Sequence, residues 1–371
     1  MKQGENRLSV SYDGKWIYDI VLESSYGQLL DALAPVLKGR NEKNVKICIV
    51  TDLNVAKIYQ NEVEKILKSR YSTVKTFIFE SGEANKNLNT IEKLYEYLII
   101  NHFERNDLLI ALGGGVVGDM TGFAAATYLR GIDFVQIPTT LLAQVDSSIG
   151  GKTGVDFAQY KNMVGAFNQP KLVYMNLDVL KTLPKEQFAS GMAEALKSGL
   201  IRDQEYFTYL CDEIKAIQSL EQEAILRTVS GSCKIKREVV QNDPKEKGER
   251  ALLNFGHTIG HAIEKLSDFT LYHGECVALG MVAAAYISFK SGNISKEDLE
   301  KIEHIIPAYN LSIRLKTAKM SADDVLAATK SDKKMEDGRV KFVLLHAIGD
   351  AYISREVSDE MLSDGIRYVL Q

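Results

Sequence analysis

Five short β-rich runs in the first half of the chain, "VKICIVTD", "TVKTFIFES", "DLLIALGGG", "DFVQIPTT" and "KLVYMN", are each followed by turn residues or by the start of a helical pattern. That alternation constrains the fold more than any other feature. Strands separated by helices close into a largely parallel sheet with helices packed on its faces. An additional N-terminal pair, "RLSVSYD" and "KWIYDIVLES", is joined by Asp13-Gly14 and reads as a hairpin. From about Leu183 onward the apolar residues recur at helical spacing, and strand character returns only near "VKFVLLHAIG". The pattern predicts an α/β domain over residues 1–182 with a mostly parallel sheet. A mostly α-helical domain over residues 183–371 is expected to follow.

Several function classes fall away on bulk properties. A net charge of -4 and a pI near 6.0 do not give the basic footprint that general nucleic-acid binding requires, so no nucleic acid is expected as a partner. The longest apolar runs, such as "ECVALGMVAAAYISF", are too short to cross a bilayer, and no membrane partner is expected. The N-terminus "MKQGENRLSV" has neither the basic start nor the apolar middle of a signal peptide, so a cytoplasmic location is expected. The four cysteines, Cys48, Cys211, Cys233 and Cys276, have no CxxC pairing and no disulfide-framework spacing, and they read as free thiols.

The run "LLIALGGGVVGDMTGFAAA" is an apolar strand, a glycine cluster and then a helix opening with Asp119. Glycines let a backbone approach a diphosphate closely, and the N-terminus of the following helix offers N–H groups and a favourable dipole. The stretch is a nucleotide-site candidate that makes the first domain Rossmann-like. It is not GxGxxG, and close strand–helix packing accounts for such glycines equally well. "SSIGGKTG" fails as a Walker A loop because Asp146 stands where the template needs glycine, which argues against ATP or GTP hydrolysis and leaves Lys152 with another role. Asp52, ending one strand, suits either a ribose hydroxyl or a helix N-cap. Glu83 and Lys86 in "ESGEANK", and Thr139 and Thr140 in "IPTT", lie in loops at the strand ends where open α/β sheets bind ligands.

In "LNFGHTIGHAIEKL" His257 and His261 are four apart and share one helix face, with His273 shortly after a break. A lone helical histidine is more often a core residue, but two on one face with a third nearby point to a metal. "HTIGH" carries Thr258 where the HExxH zinc proteases carry their glutamate, so hydrolysis by that route is excluded. Catalytic zinc commonly takes three protein ligands, and a carboxylate is wanted to join two of the imidazoles. Glu194 in "GMAEALKSGLI" is the candidate, because its segment is otherwise small and apolar. A salt bridge to Lys197, about one helical turn on, is the alternative. Lys152, Lys161, Lys197, Lys236, Arg250 and Lys341 fall beside glycines, amides or the histidine helix, and together with a metal they suit a substrate carrying carboxylate and phosphate.

Taken together, "GGGVVGD", "YLRGIDFVQIPTTLLAQVDSSIGGKTGVD", "YKNMVGAFNQP", "GMAEALKSG", "GERALLNFGHTIGHA" and "HGECVALGM" resemble the 3-dehydroquinate synthase family over almost the whole chain. That family is similar to the wider group of sugar phosphate cyclases and, more distantly, to metal-dependent polyol dehydrogenases such as glycerol dehydrogenase. The resemblance implies a dehydroquinate synthase-like fold and a lyase of the shikimate pathway, which leads to chorismate and the aromatic amino acids. Its substrate would be 3-deoxy-D-arabino-heptulosonate 7-phosphate (DAHP), converted to 3-dehydroquinate and phosphate. The implied steps are transient oxidation by NAD, β-elimination of phosphate, re-reduction and an intramolecular aldol closure.

The resemblance also implies Zn2+, with Co2+ as a substitute, held by Glu194, His257 and His273, and it gives His261 a proton-transfer role. NAD would be bound by Asp52, Asn54, Ser81, Gly82, Glu83, Ala84, Asn85, Lys86, Gly114, Gly115, Val116, Asp119, Thr139, Thr140, Lys152, Lys161 and Thr182. The substrate and catalytic shell would comprise Asp146, Lys152, Asn162, Lys197, Lys236, Glu246, Arg250, Asn254 and Lys341, with Arg130 lent across a homodimer interface. Two departures stand out: Asp156 where the family usually has asparagine, and Pro244 interrupting an acidic run before Glu246. The rival readings are a cyclase of the 2-deoxy-scyllo-inosose synthase type, a metal-dependent polyol dehydrogenase, and a non-catalytic relative that keeps the fold.

Overall fold

A computed structural model describes residues 6–158, 160–268, 270–316, 320–330, 335–336 and 339–370. The chain divides into two compact units. One comprises Met1–Leu183 with Lys236–Pro244, and the other Pro184–Ile235 with Lys245–Gln371.

The first unit is built on nine strands: β1 Arg7–Tyr12, β2 Lys15–Glu23, β3 Lys46–Asp52, β4 Thr73–Phe79, β5 Leu108–Gly113, β6 Asp133–Pro138, β7 Lys152–Phe157, β8 Tyr160–Phe167 and β9 Leu172–Asn176. Seven of them form one sheet in the order β1-β2-β9-β6-β5-β3-β4. Only β1 and β2 pair antiparallel in it. Their turn uses Asp13 and Gly14 at φ 49° and 72°, the left-handed pair that a tight hairpin needs. The central strand β5 is buried at every residue, as expected of a parallel strand covered on both faces. The register aligns Asp52 with Phe79 and Gly113 with Pro138, so the carboxyl ends of β3 and β4, and of β5 and β6, lie side by side. Ligands of open α/β sheets bind at that edge.

The other two strands, β7 and β8, form a separate antiparallel hairpin that the sequence reading did not anticipate. Gly154 and Gly165 face each other across it. A Cβ on Gly165 would sit 2.3 Å from the Thr153 carbonyl oxygen, so the ladder closes only without side chains there.

The second unit is mainly helical, with two antiparallel strand pairs among the described residues, Met335–Glu336 with Arg339–Val340 and Phe342–Ala347 with Asp350–Ser354. Two of its helices are buried almost all round. Lys185–Arg202 is buried continuously from Ala189 to Ile201, and His273–Lys290 is buried over most of its length. A helix with no solvent-facing side belongs to the interior of a larger bundle. Glycines set how closely these helices approach. A Cβ on Gly274 would lie 2.3 Å from the Ser190 carbonyl oxygen, and one on Gly280 only 1.8 Å from that of Gly256. The four cysteines are free. Among the described residues no helix is long and apolar enough to cross a membrane.

Candidate metal centre and nucleotide edge

In the first unit the glycine run ends β5 and opens the helix Gly115–Thr127, which starts four residues before Asp119 because the glycine run itself enters its first turn; its N-cap is Gly114, with no side-chain cap. Part of the run serves packing. A Cβ on Gly118 would meet the Gln136 amide oxygen at 2.6 Å, and one on Gly122 the Thr153 methyl at 2.3 Å. Gly114 and Gly115 are only partly buried at the strand-end edge, where a phosphate can reach the first-turn N–H groups. Thr139 and Thr140 follow β6 at the same edge. Thr139 Oγ1 is buried and accepts or donates no hydrogen bond among the described residues.

Asp52 caps the short helix Leu53–Val55. A single oxygen, Oδ1, accepts from the N–H groups of Asn54 (2.8 Å) and Val55 (3.1 Å) and from the Ser81 hydroxyl (3.1 Å). The capping reading of Asp52 is therefore observed, and the loop Ser81–Asn85 is tied to it. Lys86, 3 % exposed, donates to Asp119 (2.7 Å) and to Asn162 Oδ1 (2.6 Å) and lies 3.8 Å from Glu83. Burial pulls the Lys86 pKa down, yet Asp119 and Glu83 outweigh it and the pKa is raised, so the ammonium is retained. Asp119 is displaced upward, chiefly by burial and against the pull of Lys86.

Lys161 lies 3.9 Å from Glu83. Asn162 takes left-handed backbone at φ 54°, and its N–H donates to Asp156 Oδ1 at 2.8 Å. Asp156, the departure from the family pattern, thus orders the residue that caps Lys86. Lys236 donates to the Asp146 carboxylate (2.6 Å) and carbonyl (2.7 Å), a pairing of two predicted site residues far apart in sequence. Thr182 bonds the Tyr59 hydroxyl at 2.5 Å. Lys152 is exposed at the start of β7, and Arg130 is exposed after Leu129, the latter two in left-handed backbone at φ 67° and 51° respectively.

The second unit gathers four predicted residues. The near-fully buried Glu194 places Oε1 3.5 Å from Nε2 of both His257 and His273. One ring nitrogen from each of His257, His261 and His273 lies within 4.8 Å of the other two. His257 and His261 project from the helix His257–Leu266, as their four-residue spacing predicted, and His273 heads the helix His273–Lys290. Gly260 makes this juxtaposition possible, since a Cβ there would meet the Cys276 carbonyl oxygen at 2.8 Å.

The local chemistry fits a cation. Glu194 Oε1 is buried and makes no hydrogen bond among the described residues, an orphaned anionic oxygen between two imidazoles. Ligands about 2 Å from a tetrahedral zinc lie about 3.3 Å from each other, close to the separations found here. His257 Nδ1 lies 3.1 Å from the Phe255 carbonyl oxygen. A carbonyl can only accept, so Nδ1 carries a proton, and Nε2, on the Glu194 side, is the nitrogen left for a cation. The other Glu194 oxygen, Oε2, contacts the Lys197 ammonium, which is also buried. The salt-bridge reading of Glu194 is observed at Oε2, and Oε1 is the oxygen left facing the two imidazoles. Burial would raise the Glu194 pKa, but Lys197 and His273 outweigh it and hold the carboxyl well below the usual range. His273 moves the opposite way, raised by Glu194 and Glu264 against its burial.

Glu264 was not singled out in the sequence. It is 4 % exposed, and its Oε2 lies 3.6 Å from His273 Nδ1. Its position seven residues after His257, on the face of the two histidines, was the available signal. Of the other predicted residues, Asn254 donates to Glu246 at 3.2 Å, Arg250 is buried and Lys341 is partly buried.

Comparison with known proteins agrees with this architecture. Solved structures that share the fold include 2-epi-5-epi-valiolone synthase from Streptomyces hygroscopicus subsp. jinggangensis 5008 with NAD+ and Zn2+ bound. It is 25 % identical, with a TM-score of 0.86 over 98 % of this chain and 99 % of that one. Another is 2-deoxy-scyllo-inosose synthase complexed with carbaglucose-6-phosphate, NAD+ and Co2+, 24 % identical with a TM-score of 0.85 over 98 % and 100 % of the two chains. Glycerol dehydrogenase from Schizosaccharomyces pombe is more remote at 16 % identity and a TM-score of 0.69, over 98 % and 91 %. The fold is that of the sugar phosphate cyclases.

Within that class the sequence is more specific. Residues 76–190 match the 3-dehydroquinate synthase N-terminal family model and residues 191–335 the C-terminal one. A 3-dehydroquinate synthase from Prochlorococcus marinus (strain MIT 9215) is 41 % identical over 94 % of this chain and 96 % of its own length. One from Nostoc punctiforme is 44 % identical over 95 % and 96 %. The chain belongs to the 3-dehydroquinate synthase family.

Proposed function

We propose that the chain converts DAHP to 3-dehydroquinate and inorganic phosphate in the cytoplasm, with the first unit holding NAD and the second holding a divalent metal and much of the substrate. The observation that carries this reading is the placement of Glu194 Oε1 3.5 Å from Nε2 of both His257 and His273 in a chain of this family. Bound NAD would supply a reversible hydride acceptor, and bound Zn2+ or Co2+ a Lewis acid that acidifies a substrate hydroxyl.

The chain's own groups then bind, orient and move protons. The N-terminus of the helix Gly115–Thr127 and the strand-end loops would cradle the dinucleotide phosphates, because their N–H groups and helix dipole favour an anion. The Lys86–Asp119–Asn162 set, with Glu83 and Lys161, fixes the floor of that edge in one arrangement. Glu194, His257 and His273 would hold the metal. His261, partly buried beside them, would exchange protons with the substrate. Lys152, Asn162 and Lys197 would take the phosphate. Lys236, Arg250, Asn254 and Lys341 would take the carboxylate and ring hydroxyls, since rigid ammonium and guanidinium groups recognise such anions. Arg130 and Leu129 are exposed in strained backbone, which suits an arginine offered to a second copy across a homodimer.

The test follows phosphate release and NADH absorbance with purified chain, DAHP and NAD. The expected result is many phosphates per NAD with no net NADH, abolished by chelation and restored by Zn2+ or Co2+. Accumulation of NADH without phosphate, or turnover of glucose 6-phosphate or sedoheptulose 7-phosphate in preference to DAHP, would contradict it.

A further inference from the structure

We infer that Glu264 is a positioning residue of the metal centre, the carboxylate that fixes the ring of His273. The helix His257–Leu266 carries His257, His261 and Glu264 at positions i, i+4 and i+7, all on one face. Glu264 lies between the buried Ile263 and the exposed Lys265, yet it points inward and is only 4 % exposed. A carboxylate buried to that extent is costly unless it serves a charged or hydrogen-bonding partner. Its Oε2 is 3.6 Å from His273 Nδ1, while the opposite nitrogen of the same ring, Nε2, faces Glu194 Oε1 at 3.5 Å. The imidazole is therefore spanned by two carboxylates, one on each nitrogen.

These two carboxylates have different work. A ring nitrogen that ligates a cation must be bare, so the proton of neutral His273 has to sit on Nδ1, where an acceptor is needed. Glu264 provides it. His257 solves the same problem with the Phe255 carbonyl oxygen at 3.1 Å from its Nδ1. Both proposed imidazole ligands thus have an anchored outer nitrogen and an inner nitrogen aimed at Glu194. A carboxylate behind a ligating imidazole sets ring orientation and raises ligand basicity, and removing such a partner typically weakens metal affinity by about 10- to 100-fold. At 3.6 Å the pair is an ion-pair contact, longer than a normal N–H···O bond of about 2.7–3.2 Å.

The inference rests on the metal-centre reading above, and zinc affinity of the full-length chain tests the two separately. Metal-stripped wild type, Glu264→Ala, Glu264→Gln, Glu194→Gln and His273→Ala are titrated with Zn2+ against a chromophoric chelator. Glu264→Ala is expected to bind about 10- to 100-fold more weakly. Glu264→Gln keeps a neutral acceptor and is expected to lose about threefold to tenfold, because a charge-assisted bond is about twice as strong as a neutral one. The visible absorption of the fully cobalt-loaded Glu264→Gln chain should also shift, which a purely structural role would not produce. Wild-type affinity, within twofold, in Glu264→Ala while Glu194→Gln and His273→Ala lose zinc overturns the inference alone. Should Glu264→Ala fail to fold, wild-type affinity and an unshifted cobalt spectrum in Glu264→Gln overturn it equally. Wild-type affinity in Glu194→Gln and His273→Ala overturns the metal-centre reading itself.

Discussion

Glu194→Gln should lose bound metal and turnover together, while the chain still folds. The substitution keeps shape and removes one charge at a position 1 % exposed, where little solvent is present to compensate. Two effects act in the same direction. Oε1, the orphaned oxygen 3.5 Å from both imidazoles, becomes a weaker neutral donor to a cation. The Lys197 ammonium, in contact with Oε2, loses its carboxylate, and breaking a buried pair by removing one member costs about 3–5 kcal/mol. Direct loss of an anionic ligand should exceed the roughly 100-fold that removal of an outer-shell partner costs. Zinc affinity should therefore fall by about a thousandfold, equivalent to about 4 kcal/mol. Competition titration against a chelator measures it, and phosphate release from DAHP should fall to background at zinc concentrations that saturate wild type. Unchanged affinity would remove Glu194 from the ligand set.

Gly280→Ala should be the most damaging single methyl in the second unit. A Cβ there would stand 1.8 Å from the Gly256 carbonyl oxygen, 2.7 Å from its carbon and 2.9 Å from the Gly260 nitrogen. All three are backbone atoms, so no side chain can rotate away. The helix His273–Lys290 has to move off the helix His257–Leu266. Overpacking a core costs typically about 1–3 kcal/mol, and this site should reach or exceed the upper end because only main chain can yield. Gly256 immediately precedes His257, and Gly280 lies on the helix that His273 heads, so the same displacement should separate the imidazoles. A lowered denaturation midpoint with substoichiometric zinc is the expected result. Gly292→Ala is the control: no atom lies within 4 Å, and only the left-handed backbone at φ 76° opposes it, at about 1–2 kcal/mol. Equal effects from the two substitutions would mean that helix approach does not set the site.

Local chemistry made much of this legible in the sequence. The parallel strands showed through because buried β-branched runs alternated with helical patterns, and the N-terminal hairpin because Asp13-Gly14 permits its turn. The paired imidazoles of His257 and His261 followed from helical periodicity alone. The β7–β8 hairpin did not show, because its glycines suggested a ligand loop and its apolar residues Phe157, Tyr160 and Phe167 are exposed rather than alternating toward a core. The Lys236–Asp146 bond spans 90 residues, and no local pattern encodes it. Glu264 was passed over because an acid before Lys265 near a helix end ordinarily faces water. Here the bundle covers it, and what covers a helix face is decided by tertiary packing. Asp52 shows the converse, a residue whose capping role was available from sequence and was found in the structure.

On the proposed ligand set, Glu194 and the imidazoles of His257 and His273 would grip the cation, whereas His261, with a ring nitrogen within 4.8 Å of theirs, would move protons instead. The zinc content of purified His257→Ala and His261→Ala chains after dialysis against trace zinc separates these roles most directly. The expected result is an empty His257→Ala chain and a stoichiometrically loaded His261→Ala chain without phosphate release from DAHP. Zinc retained by His257→Ala and lost from His261→Ala would contradict it.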